Sequence, residues 1–88
     1  MSAGQGRILV VDDERPIRRA LEVTLTKAGY KVQTATNGDE ALTAAALTPP
    51  DLVILDLMMP REDARATFAA LRRRVASTVP TFTSPGRR

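Results

Sequence analysis

Short apolar runs and amphipathic segments alternate along the chain. The runs RILVVD at residues 7–12 and DLVILD at residues 51–56 are continuous, which is typical of parallel strands buried on both faces. The segment YKVQTAT at residues 30–36 alternates apolar and polar positions, which predicts a more exposed strand at an edge of the sheet. VPTFTS at residues 79–84 is a fourth candidate strand, although Pro80 weakens that prediction.

Three helices are predicted between these strands. The first begins near Pro16 and ends at Gly29, and its apolar residues recur at helical spacing. The second follows a turn at Asn37-Gly38, with Asp39 as the expected N-cap. The third is indicated by a helically spaced apolar stripe that consists of Ala64, Phe68, Leu71 and Val75.

The alternation of strands and helices predicts an α/β fold with a parallel sheet and helices on both of its faces. In such sheets, ligands bind at the carboxyl ends of the strands. The first strand ends at Asp12 and Asp13, and the third strand ends at Asp56. If these strands are neighbours, three carboxylates meet at one edge of the sheet. Their mutual repulsion then calls for a helix terminus or a bound cation.

The composition restricts the chemistry that the chain can perform. Its 88 residues, of which 43% are hydrophobic and 26% charged, suit one small globular domain. The chain has no cysteine and no histidine, which excludes disulfides, thiolate metal sites and the commonest general base. Catalysis would therefore depend on carboxylates, hydroxyls, lysines or a hard metal ion.

The net charge of +3 is unevenly distributed. Residues 1–60 are mildly acidic, whereas residues 61–88 hold seven arginines against Glu62 and Asp63. We interpret the basic part as a solvated helix face and a frayed end, and we do not expect direct binding to nucleic acid because no recognition helix is visible. No apolar run is long enough to span a membrane and no signal peptide is visible, so the cytoplasm is the expected location.

Two motifs resemble the receiver domain of two-component response regulators. They are ILVVDDE at residues 8–14 and DLVILDLMMP at residues 51–60, and NGDEAL at residues 37–42 fits the same pattern. The resemblance covers residues 7–60. It implies a flavodoxin-like, doubly wound parallel sheet with strand order 2-1-3-4, and a signalling domain rather than an enzyme.

The resemblance also implies roles for individual residues. Asp56 would be the phosphoacceptor, and a sensor histidine kinase would donate the phosphoryl group in a Mg²⁺-dependent reaction. Asp12 and Asp13 would hold the Mg²⁺ ion together with Asp56, and the backbone carbonyl of Met58 would be a further ligand. Carboxylate and carbonyl oxygens are the ligands that Mg²⁺ prefers. A site of this kind suits in-line attack by an aspartate nucleophile.

The resemblance fades after Pro60. Receiver domains carry a switch hydroxyl at the end of the fourth strand, for which the candidates here are Thr83 and Ser84. They also carry a lysine at the end of a fifth strand, whereas the last lysine of this chain is Lys31. A switch between two conformations on phosphorylation would depend on these two contacts.

We therefore expect a partial receiver domain over residues 7–83, with flexible tails at residues 1–6 and 84–88. It would lack the fifth strand and the last helix, and that helix would cover the same face of the sheet as the first one. Apolar surface beside Ile17 and Leu21 would then be open to solvent. We expect marginal stability and self-association through this exposed apolar surface.

Three alternatives remain open at this point. A degenerate, non-switching receiver fragment would act only as a protein-interaction module. The acids after the first strand would, in a second interpretation, only favour the positive end of the following helix. The third alternative is an aspartate-nucleophile phosphatase, but such enzymes carry a second aspartate at the position of Met58. A dinucleotide site is not expected, because Gly4-Gln5-Gly6 precedes the first strand instead of following it.

Overall fold

The computed structural model describes residues 6–56, 63–74 and 78–81. These residues form a four-stranded parallel sheet with the order β2-β1-β3-β4, which confirms the predicted α/β, flavodoxin-like fold class. No helix in the described ranges is long and apolar enough to cross a membrane. The elements are β1 (Arg7–Val11), α1 (Arg15–Lys27), β2 (Lys31–Ala35), α2 (Gly38–Leu47), β3 (Leu52–Asp56), α3 (Asp63–Arg74) and β4 (Thr78–Thr81).

The helices lie on opposite faces of the sheet. Helices α2 and α3 contact each other and the sheet, whereas α1 contacts β1 and β2 and neither of the other helices. Because strand side chains alternate between faces, Leu9 and Leu55 point toward α2 and α3, where they are fully buried with Leu71. The rest of this core consists of Val11, Ala35, Ala41, Ala45 and Val53.

The opposite face is less well covered. Helix α1 begins with Pro16 in its first turn and is followed by Gly29 in the left-handed conformation (φ 104°), as the sequence predicts. It contains no buried residue, and its apolar residues Ile17 and Leu21 stay partly exposed. Ile54 of β3, on the same face of the sheet, is also only partly buried. These apolar side chains are thus less completely covered than those on the face that packs against α2 and α3.

The start of α2 corrects one prediction. The N-cap is Asn37 and not Asp39, which lies in the first turn of the helix. Asn37 has an extended backbone, and its side-chain oxygen accepts the N–H of Glu40, three residues later, at 2.9 Å. The carboxylate of Glu40 in turn accepts the backbone N–H of Thr36 at 2.8 Å and its hydroxyl at 2.9 Å. Glu40 therefore returns hydrogen bonds to the residue before the N-cap, in a variant of the capping box.

This cap predicts a pH-dependent contribution to stability. The hydrogen bonds from the backbone and side chain of Thr36, together with the charge of Arg18, lower the pKa of Glu40 from its ordinary value of 4.5. A carboxylate with a lowered folded-state pKa stabilises the fold above its unfolded pKa, and the contribution is lost as the pH falls through the folded-state pKa. We therefore expect Glu40→Gln to destabilise the fold at pH 7 and to have a smaller effect at pH 4, below the ordinary pKa of 4.5. Urea midpoints of both proteins at the two pH values measure this, and an equal difference at both would contradict it.

Two hydrogen bonds between Arg7 and Asp51 align β1 with β3. The N–H of Arg7 donates to Oδ2 of Asp51 at 2.9 Å, and the N–H of Asp51 donates to the carbonyl of Arg7 at 2.8 Å. Gly6 allows this close approach, because a Cβ atom there would lie 2.8 Å from Oδ2 of Asp51. With this register Val11 pairs with Leu55, so the two strands end side by side.

Strand β4 differs from the predicted segment at residues 79–84. It spans Thr78–Thr81, so it begins one residue earlier, and Thr83 and Ser84 lie outside the described residues. Its register pairs Thr81 with Asp56. Pro80 is compatible with this strand because β4 pairs only with β3 among the described strands, and proline is tolerated at a sheet edge. Val75 also lies outside the described residues.

Candidate functional site

Three carboxylates converge at the carboxyl edge of the sheet. Asp12 and Asp13 directly follow β1, and Asp56 is the last residue of the neighbouring strand β3. One carboxylate oxygen from each of the three lies within 4.8 Å of the other two. The structure therefore brings together the three aspartates that the sequence analysis placed at this edge.

Burial divides these carboxylates into two kinds. Asp12 is 2% exposed and Asp56 is 1% exposed, whereas Asp13 is exposed at the rim. Two negative charges that lie close together away from water repel strongly, so the arrangement favours a compensating cation. The donor set contains only oxygen, which suits a hard cation such as Mg²⁺ better than a metal that prefers nitrogen or sulfur.

Asp12 is held in place by contacts on several sides. Its Oδ1 accepts the N–H of Glu14 at 2.8 Å, and its own N–H donates to the carbonyl of Ala35 in β2 at 3.1 Å. Its backbone carbonyl accepts Nη1 of Arg18 at 2.8 Å. Sequence reasoning missed Arg18, because no motif distinguishes it from the other arginines of α1. The bond from Glu14 thus holds the carboxylate of Asp12, and the other two hold its backbone.

The helix-terminus interpretation explains only part of this cluster. Glu14 is the N-cap residue of α1 but makes no side-chain cap hydrogen bond, and the first turn of α1 contains no acid. Asp12 does satisfy the N–H of Glu14. Asp56, however, comes from a different strand and is not placed there by the start of α1. The remaining predicted site residues, Met58, Thr83 and Ser84, lie outside the described residues, so their roles stay predictions.

Comparison with known proteins identifies the family. Residues 8–84 match the response regulator receiver domain. The chain belongs to this receiver-domain family. The match extends beyond residue 60, where the resemblance of the motifs fades, and it includes α3 and β4. Receiver domains are signalling domains rather than classical enzymes, so the phosphatase interpretation is not supported.

Relatives in sequence and structure agree with this assignment. The chain is 49% identical over 73 residues to a probable transcriptional regulator, ycf27, of Cyanophora paradoxa, covering 83% of this chain and 30% of that regulator. Its fold is similar to the chemotaxis protein CheY4 of Vibrio cholerae, with a TM-score of 0.76, 33% identity, and coverage of 94% and 74% of the two chains. The chain thus spans less than a third of this regulator's length.

A third relative carries ligands. The response regulator TrrA of Thermotoga maritima, solved in complex with Mg²⁺-BeF, is similar with a TM-score of 0.72 and 32% identity, covering 90% of this chain and 87% of that one. A receiver domain of this fold, in another organism, therefore accommodates Mg²⁺ and a beryllium fluoride group.

Proposed function

We propose that this receiver domain accepts a phosphoryl group on Asp56 from a partner histidine kinase in a Mg²⁺-dependent reaction. The observation that carries the proposal is the convergence of Asp12, Asp13 and Asp56 within 4.8 Å at the carboxyl edge of the sheet. The Mg²⁺-BeF complex of the related TrrA supports it. The histidine that donates the phosphoryl group belongs to the partner, since this chain contains none.

The residues of the site have distinct roles in this reaction. Asp12 and Asp13 would hold Mg²⁺, which supplies positive charge to balance the carboxylates and the incoming phosphoryl group. A carboxylate oxygen of Asp56 forms the new bond to phosphorus while the phosphorus–nitrogen bond of the donor breaks. The leaving imidazole nitrogen retains the electron pair and takes up a proton from solvent. Asp56 is the last residue of β3 and is 1% exposed, so its position is fixed and water has little access to it.

Incubation with a small phosphoryl donor tests this proposal without the partner kinase. The chain is treated with acetyl phosphate and Mg²⁺, and intact mass is measured. We expect the mass to increase by one phosphoryl group. When EDTA is present from the start of the incubation and removes the metal, we expect no increase. A folded chain that binds Mg²⁺ but gains no mass would overturn the proposal and support the alternative, a non-switching interaction module.

The metal ligands give a separate prediction. We expect Asp12→Asn to weaken Mg²⁺ binding by about tenfold or more, equivalent to about 1.4 kcal/mol, because it removes a buried charged ligand of fixed orientation. Isothermal titration calorimetry measures the affinity. Asp39→Asn is the matched control, since it removes the same charge from an exposed position in α2 and is expected to leave the affinity unchanged. Equal affinities for the two variants would exclude Asp12 as a ligand.

The partly exposed apolar side chains of α1 support the interaction-module alternative. Leu21 is only partly buried there, while Val23 lies on the solvent side of the same helix and is 37% exposed. We propose that the chain self-associates through this surface, and we expect its mean mass in sedimentation experiments to rise with concentration. Leu21→Gln should reduce this rise and Val23→Gln should not. A mass that stays monomeric at all concentrations would contradict the prediction.

A further inference from the structure

A second polar site lies beside α1, outside the three aspartates. A surface cavity of about 220 Å³ opens between the first two turns of α1 and β2. It is lined by three arginines, which we call the arginine pocket: Arg15, Arg18 and Arg19, together with Glu22 and Thr34. None of these residues is one of the three aspartates, although Arg18 also holds the backbone of Asp12.

The charge of the arginine pocket is unbalanced. Three guanidinium groups and one carboxylate line it, so the lining residues alone carry a net charge of +2, while the charge of Arg18 also acts on Glu40. Glu22 pairs with Arg19 at 3.1 Å, but that arginine remains 70% exposed. Like charges gathered around one cavity repel, and a bound anion removes that repulsion. The lining of the pocket therefore favours an anionic ligand.

Two of the arginines are positioned before any ligand arrives. Nη1 of Arg18 donates to the carbonyl of Asp12 at 2.8 Å, and Nη1 of Arg19 donates to Glu22. Each guanidinium has five N–H donors, so both keep donors for a further acceptor. Thr34 adds a hydroxyl from β2. Planar guanidinium groups that are already oriented bind phosphate in a bidentate manner at a reduced entropic cost.

From this geometry we infer that the arginine pocket binds a phosphate-type dianion at a site separate from the aspartates. A phosphoryl group carries three acceptor oxygens and a charge close to −2 near neutrality, which matches the donors and the net charge of the cavity. Such a group has two sources: a small phosphorylated molecule in solution, or a phosphorylated side chain on a partner protein. The cavity volume admits the phosphoryl group itself, which is common to both.

NMR titration of the arginine Nε–H signals tests the inference in metal-free buffer. The ¹⁵N-labelled chain is titrated with inorganic phosphate, and sodium chloride at equal ionic strength is the reference. We expect saturable shifts for the pocket arginines with phosphate and not with chloride. Phosphoramidate and a phosphoserine peptide form two further arms. Tighter binding of the peptide assigns the site to a protein-borne group, and tighter binding of phosphoramidate assigns it to a small molecule.

Two double variants that remove the same charge distinguish a specific phosphate site from nonspecific attraction of an anion to positive charge. Arg15→Ala/Arg19→Ala should weaken phosphate binding by about tenfold or more, and Arg7→Ala/Arg73→Ala, both exposed and outside the pocket, by less than about twofold. Arg15→Lys/Arg19→Lys keeps the charge but loses the planar geometry of the guanidinium donors, and its affinity is expected to fall between those of the two alanine variants.

Shifts that do not saturate, that appear equally with chloride, or that weaken equally in both alanine variants would overturn the inference. Circular dichroism of each variant verifies that it is folded. Loss of phosphorylation at Asp56 would leave these shifts unchanged, so the two proposals fail independently.

Discussion

Asp56→Asn is expected to abolish phosphoryl incorporation from acetyl phosphate. The substitution preserves the size and shape of a side chain that is 1% exposed, but an amide oxygen is not a nucleophile toward phosphorus at neutral pH. Intact mass after incubation with acetyl phosphate and Mg²⁺ measures the effect directly. The expected result is a complete loss of the phosphorylated species over a period in which the wild type reacts to completion.

A matched variant and a stability measurement make this result decisive. Asp51→Asn makes the same chemical change in the residue just before β3, at the opposite end of that strand, and an asparagine there still offers an oxygen to Arg7. It should react as the wild type does. Without Mg²⁺, Asp56→Asn should unfold at a higher temperature than the wild type, because it removes one of three clustered negative charges. An Asp56→Asn protein that is folded and still gains one phosphoryl group would exclude Asp56 as the acceptor.

The sheet and the aspartate cluster are predictable from the sequence because both depend on short-range patterns. A continuous apolar run indicates a strand covered on both faces, and two such runs that end in acids place those acids at one edge once the strands pair in parallel. The pairing of β1 with β3 completes this inference in the structure. Residues 7–12 and 51–56 therefore contain most of the information that builds the site.

Other features depend on geometry that a pattern does not contain. The choice between Asn37 and Asp39 as the cap of α2 is decided by which residue has an extended backbone. The bond from Arg18 to the carbonyl of Asp12, and the arginine pocket next to it, depend on how α1 is rotated about its axis over β1 and β2. Helical periodicity gives the apolar side of α1 but does not say which arginines face β2.

The role of helix α3 is visible in its packing although its sequence does not carry the receiver-domain motifs. Its arginine-rich sequence follows Pro60, yet Leu71 is fully buried against α2 and the sheet and Thr67 is 2% exposed. Phe68 is partly buried, with the guanidinium of Arg72 lying 5.5 Å from its ring centre. The helix thus closes the face of the sheet that holds Leu9 and Leu55.

Leu71→Ala is accordingly expected to destabilise the fold by about 2–5 kcal/mol, since it leaves a cavity in a core with few other large side chains. A domain of this size has a total free energy of unfolding of about 5–10 kcal/mol, so the variant should lose a large part of its stability. Urea denaturation followed by far-UV circular dichroism measures the change. Leu47→Ala removes the same atoms from a side chain that is 79% exposed on α2, and it should shift stability by less than about 0.5 kcal/mol. Equal midpoints for the two variants would mean that α3 does not contribute to the core. The face of the sheet that packs against α2 and α3 would then be no better covered than the face that packs against α1.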